Sequence, residues 1–110
     1  MTTDARFVAP DALTRFTRAL FERAGVPEND AAKVAEVLVW ANLRGVDSHG
    51  VLRVPGYLNR LKSGVGNAKP AIRVAAETPA TLVVEADYAL GPVAMIFAMK
   101  RAIAKARAAG

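Results

Sequence analysis

The chain has 110 residues, 53% hydrophobic and 23% charged, with no cysteine. That length allows one small domain burying roughly 65% of its unfolded surface. The composition excludes a disordered chain, and the missing thiols exclude a disulfide framework or a thiolate-bound metal.

The charge is uneven. Residues 1–55 hold seven Lys/Arg and seven Asp/Glu, while residues 56–110 hold eight against three and so carry the whole net charge of +5. Four of those cations (Lys100, Arg101, Lys105 and Arg107) fall in the last eleven residues. There they complement the negative end of a closing helix, so no nucleic-acid partner is expected from charge alone. Residues 1–6 lack an apolar leader segment and no run approaches 18 apolar residues. The expectation is a cytoplasmic protein without a membrane partner.

A first helix is predicted from about Pro10 to Ala24. Pro10 suits the first helical position, Asp11 the positive end, and Gly25 followed by Pro27 the stop. Its apolar stripe reads as Leu13, Phe16, Leu20 and Ala24. A second helix is predicted from about Glu28 to Arg44, with an acidic first turn and Gly45 as terminator. Between Val34 and Leu43 only Glu36 and Asn42 are polar. A helix apolar nearly all round must be covered on most sides, so cover from outside this short chain is expected.

The segment Arg44-Gly45-Val46-Asp47-Ser48-His49-Gly50-Val51-Leu52-Arg53 holds the only histidine. Side chains four apart share a helix face. His49, Arg53 and Tyr57 therefore form a potential stripe of proton donor, carboxylate clamp and hydroxyl. That set suits a small 2-oxo acid, whose keto oxygen needs a proton and whose carboxylate needs a fixed positive charge. Each residue also has a plain structural reading: Asp47-Ser48 as N-cap chemistry, Arg53 as a surface ion pair, Tyr57 as a packing residue. Pro55 breaks the pattern, so a short turn through Val51–Arg53 and a helix proper from near Pro55 to Ser63 are expected.

Residues 64–70, with two glycines and a proline, read as a loop and a domain boundary. Two strands follow, at Ile72–Ala75 and Thr81–Ala86, turning through Glu77–Ala80. A long helix from about Gly91 to Ala109 closes the chain, with Ile96, Met99, Ile103 and Ala106 as its packing face. Gly91 opens this helix without a G-x-G-x-x-G pattern, so no cofactor-binding residue is assigned, and no metal site either. Three helices and a hairpin on a basic chain also match a winged-helix DNA-binding domain, with Arg53, Asn59, Arg60 and Lys62 facing the groove. Against that stand the long packing helix and a DSHG segment with no part in reading DNA.

The stretch Ala41-Asn42-Leu43-Arg44-Gly45-Val46-Asp47-Ser48-His49-Gly50-Val51-Leu52-Arg53-Val54-Pro55-Gly56-Tyr57 resembles the N-terminal signature of the type-2 malate/L-lactate dehydrogenase family. These nicotinamide-dependent oxidoreductases lack the Rossmann fold, and members act on malate, lactate, sulfolactate, ureidoglycolate, diketogulonate or cyclic imino acids. The likeness runs the length of the chain. Full members are much longer, so an N-terminal fragment is expected, inactive by itself.

The resemblance implies an α+β fold. Residues 1–70 would form a helical, substrate-side domain, and residues 71–110 the beginning of an α/β domain for NAD or NADP. It implies His49 as catalytic acid–base, Ser48 as its relay or a substrate-contacting hydroxyl, Arg53 on the substrate carboxylate, and Tyr57 as a substrate hydrogen-bonding partner. It also implies a homodimer acting on a small carboxylate substrate.

Overall fold

The computed structural model describes residues 6–110. Helix α1 spans Pro10–Arg23 and α2 spans Glu28–Leu43. Two single-turn 3-10 segments follow, Asp47–His49 and Val51–Arg53, and lead into α3, Val54–Lys62. Strands β1 (Arg73–Glu77) and β2 (Leu82–Glu85) then form an antiparallel hairpin, and α4 (Gly91–Ala109) ends the chain. The architecture is α+β, as the sequence predicts.

The helix ends follow from local chemistry. Pro10 occupies the first turn of α1, where a missing N–H costs nothing, and no side chain caps Ala9. At the other end Gly25 takes φ +96°, Gly25 N–H donates to Glu22 O, and Val26 N–H donates to Phe21 O. This is a Schellman closure, with Val26 and Phe21 both buried.

Helix α2 packs on α1, and its Ala31, Val34, Ala35 and Leu38 are all essentially without exposure. The α1 face differs from the expected stripe. Thr17 and Phe21 are buried and Leu13 and Leu20 half-buried, whereas Phe16 is 62% exposed and Ala24 is exposed too. A threonine at the centre of the face hides it from an apolar pattern. On the surface Arg18 bonds Glu22 at 2.8 Å and reaches Glu28 on α2. The hydrogen bond to Glu22 holds the Arg18 guanidinium above its usual range against desolvation, with the charges of Glu22 and Glu28 acting in the same direction.

One core joins the elements: Phe21, Val26, Ala31, Val34, Leu38, Val54, Leu90 and Val93, edged by Val51, Tyr57, Leu58 and Ile72. Leu90 and Val93 bring the start of α4 into it. Beyond that first turn α4 is much barer than its expected packing face. Ile96 is half-buried, but Met99 and Ile103 are exposed, as is Met95, and Ala106 is open. Lys105 ties α4 to the hairpin, pairing with Glu77 at 2.9 Å and donating to Thr78 O at 2.7 Å. On α2, Trp40 and Leu43 also stay exposed, with the Arg44 guanidinium 5.4 Å from the Trp40 ring.

Between β2 and α4 the chain turns through Asp87 and Tyr88 at φ 52° and 58°, a region unusual for residues with a side chain. Asp87 Oδ2 accepts from Asn67 Nδ2 at 2.9 Å and from Ala71 N–H at 2.8 Å, and Asn67 N–H donates to Tyr88 O. These bonds hold the loop after α3 against the entry to α4.

Asp87→Ala should therefore cost about 1–2 kcal/mol, from the two lost bonds and the left-handed backbone. Asp87→Asn should cost less than half of that, because one amide oxygen can accept both bonds and asparagine tolerates this conformation. Urea titration of the two variants checks the difference, and equal losses would contradict this account of the turn.

Candidate active site

The site is built on the end of α2. Gly45 takes φ +76°, its N–H donates to Asn42 O, and Val46 N–H donates to Ala41 O, a second Schellman closure. The chain then enters the two 3-10 turns. His49 N–H donates to Val46 O, Gly50 N–H to Asp47 O and Arg53 N–H to Gly50 O, at 3.0–3.1 Å. Pro55 falls in the first turn of α3, where it is tolerated. The expected short turn followed by a helix is what forms.

Asn42 organises this loop. Its Nδ2 donates to Asp47 Oδ1 at 2.8 Å, and its Oδ1 accepts from Val51 N–H at 2.9 Å. Gly50 is buried directly over that amide, and a Cβ there would collide with it. In the sequence Asn42 counts only as one of two polar residues on an apolar helix. Its position, one helical turn before Gly45 and five residues before Asp47, was the available signal.

Three of the sequence-predicted residues come together. Ser48 Oγ lies 2.9 Å from His49 Nδ1, and Arg53 Nε donates to the Ser48 carbonyl oxygen at 2.7 Å. All three side chains are exposed. Arg53 has no carboxylate partner among the described residues, so its two Nη groups are available. The arrangement is not one helical stripe, because His49 and Arg53 sit on successive 3-10 turns and meet through Ser48. Tyr57 lies apart, one turn into α3, half-buried with its ring 6.4 Å from that of Phe21 and tilted by 53°. The Asp47 carboxylate is bonded to Asn42.

This geometry has defined chemical capacity. With Ser48 Oγ accepting from Nδ1–H, the imidazole presents Nε2 as the group that gives or takes a proton. A guanidinium whose Nε is already bonded keeps its Nη edge for a planar anion. A groove of about 500 Å³ adjoins the loop, lined in part by Phe7, Val8, Leu13, Asn42, Asp47 and Val51. Among the described residues no group of His, Asp and Glu side chains could hold a metal ion, and no helix is long and apolar enough to cross a membrane.

Known proteins share this sequence and fold. The family model for malate/L-lactate dehydrogenase matches residues 8–110. The L-sulfolactate dehydrogenase of Methanocaldococcus jannaschii is 45% identical over 91 residues, covering 83% of this chain and 26% of that protein. The ureidoglycolate dehydrogenase (NAD(+)) of Escherichia coli strain K12 is 41% identical over 80% of this chain and 25% of its own length. The solved malate dehydrogenase of Pyrococcus horikoshii OT3 superposes with a TM-score of 0.90 at 44% identity, covering 94% of this chain and 30% of that one. The chain thus spans under a third of the length of these relatives. The winged-helix alternative finds no support in these matches. A shared segment of this length, with the DSHG turn inside it, places the chain in the malate/L-lactate dehydrogenase family.

Proposed function

We propose that the whole protein is a dehydrogenase that interconverts a small 2-oxo acid and its 2-hydroxy acid, with NAD or NADP as hydride carrier. The observation that carries this reading is the Ser48–His49–Arg53 cluster, an acid–base group and a free guanidinium edge held by shared hydrogen bonds. Family membership and relatives named for malate, sulfolactate and ureidoglycolate support the same class.

In the reducing direction the carbonyl carbon gains a hydride and its oxygen gains a proton from His49 Nε2. In oxidation Nε2 takes the hydroxyl proton as the hydride leaves. The nicotinamide supplies or accepts that hydride when bound, and the chain's own residues position the substrate and move the proton. Ser48 Oγ holds Nδ1, which keeps Nε2 aimed outward. The Nη edge of Arg53 takes the carboxylate. Tyr57 contributes its hydroxyl at the edge of the substrate, with its ring anchored on the core.

In this reading residues 1–70 form the substrate side and residues 71–110 begin the cofactor domain, in keeping with the change from helices to a hairpin. The exposed Trp40 and Leu43 on α2, and the row Met95, Met99 and Ile103 on α4, support a homodimer. A cytoplasmic location fits the same class.

His49→Ala in the whole protein should lower kcat by about 10²–10⁴, the usual worth of a positioned acid or base, with a much smaller change in KM. A kcat within a few-fold of wild type would show that His49 only shapes the turn.

Arg53→Lys keeps the charge but loses the planar fork, so it should raise KM for the acid while KM for the nicotinamide stays nearly unchanged. Equal rises in both constants would place Arg53 in the structure and not on the carboxylate.

Residues 1–110 expressed alone should show no dehydrogenase activity and should self-associate through the exposed apolar side chains of α2 and α4. Light scattering and NADH fluorescence test this. A monomer that binds NADH would overturn the division of roles proposed for the two parts of the chain.

A further inference from the structure

We propose that Asn42 is a positioning residue for His49, a two-ended clamp that sets the direction of the imidazole; the role rests on reading His49 as the acid–base group. Packing does little to hold His49. From Val46 to Arg53 only Gly50 is buried and Val51 half-buried, while Asp47, Ser48, His49, Leu52 and Arg53 are all exposed. The 3-10 turns are also weakly self-supporting, since each is a single turn and 3-10 hydrogen-bond geometry is poorer than that of an α-helix.

The Asn42 amide supplies what packing does not. It bonds Asp47, the first residue of one turn, and the N–H of Val51, the first residue of the next. His49 lies between these two fixed points. The clamp is itself anchored, because the neighbouring α2 residues Leu38, Val39 and Ala41 are buried. Gly50 completes it by leaving room for the amide.

The task needs one donor and one acceptor on a short side chain, which asparagine provides. Aspartate at 42 would still accept from Val51 N–H but would set a second carboxylate against Asp47. Exchanging the two residues reverses the polarity of the first bond and keeps the second. An asparagine at 47 would then donate to an aspartate at 42.

The test uses the whole protein with Asn42→Asp, with Asn42→Asp/Asp47→Asn, and with Asn42→Ala in wild-type and His49→Ala backgrounds. Asn42→Asp should lower kcat by about 10–100-fold, the scale of a misplaced reacting group. KM for the nicotinamide should stay within about twofold and the far-UV circular dichroism should be unchanged, because the loop, apart from Gly50 and the core-edge Val51, is exposed. The exchanged pair should return kcat to within about threefold of wild type. Asn42→Ala should lower kcat of the wild type, yet add less than about twofold to His49→Ala, since groups acting through one another are not additive.

Failure of the exchange to restore kcat would overturn the proposal. So would a loss in Asn42→Asp that only follows loss of folded protein, or a full Asn42→Ala effect without the histidine. If His49→Ala is impaired and Asn42→Asp is not, the clamp alone is refuted. If His49→Ala is itself near wild type, the acid–base reading fails and the clamp loses its purpose.

Discussion

The packing of α2 against α1 is the contact on which the site depends. Phe21, Ala31, Val34 and Ala35 are fully buried there, and Leu38 all but so. Each large apolar side chain among them contributes roughly 1.5–3 kcal/mol of transfer free energy. Val34 and Leu38 share one buried cluster with Phe21 and Ala31. Because α2 is packed along this seam, its last turn is held as well, and the loop that carries Ser48, His49 and Arg53 starts from a buried, well-packed place. Val54, Leu90 and Val93 close the same core from the far side of that loop. The exposed segment is therefore short and held at both ends.

Within that frame Ser48, His49 and Arg53 are exposed, and their order comes from hydrogen bonds. On the proposed function exposure lets these groups meet a substrate, but it removes the packing that would otherwise fix their side chains. Local bonds substitute: Asn42 to the two turns, Ser48 to His49, and Arg53 to the Ser48 carbonyl. Tyr57 shows the other solution, with its ring wedged against Phe21 at the core's edge. A hydroxyl carried on such a ring is placed by burial and needs no partner to hold it.

Much of this was legible in the sequence where a residue type has a single strong conformational meaning. Pro10, Gly25, Gly45 and Pro55 marked helix limits that the structure reproduces within a residue or two. The hairpin and final helix followed from apolar periodicity. The misses have a common cause, in that tertiary contact decides which face of an element matters. Thr17 is polar by type but buried by position, so the α1 stripe was misplaced. Met99 and Ile103 are apolar by type but exposed, so the α4 face stays largely uncovered. The left-handed pair Asp87–Tyr88 carries no glycine to announce it; its stability depends on Asn67 and Ala71, sixteen or more residues away. The role of Asn42 is hidden in the sequence for the same reason. Its partners are loop groups whose position depends on the fold.

Ser48 links His49 and Arg53. Its side chain bonds the imidazole and its carbonyl accepts from the guanidinium, so both groups are tied to one residue. On the proposed function the separation of these groups must match a fixed chemical distance, because the reacting carbon of a 2-oxo acid is bonded directly to its carboxylate carbon. The remainder of the substrate enters neither contact. A loop that measures only the oxo-acid head can serve acids that differ widely beyond it, provided other residues judge the tail. On that proposal, discrimination between substrates falls to groups outside the 48–53 turn, and the turn itself handles only the proton and the carboxylate.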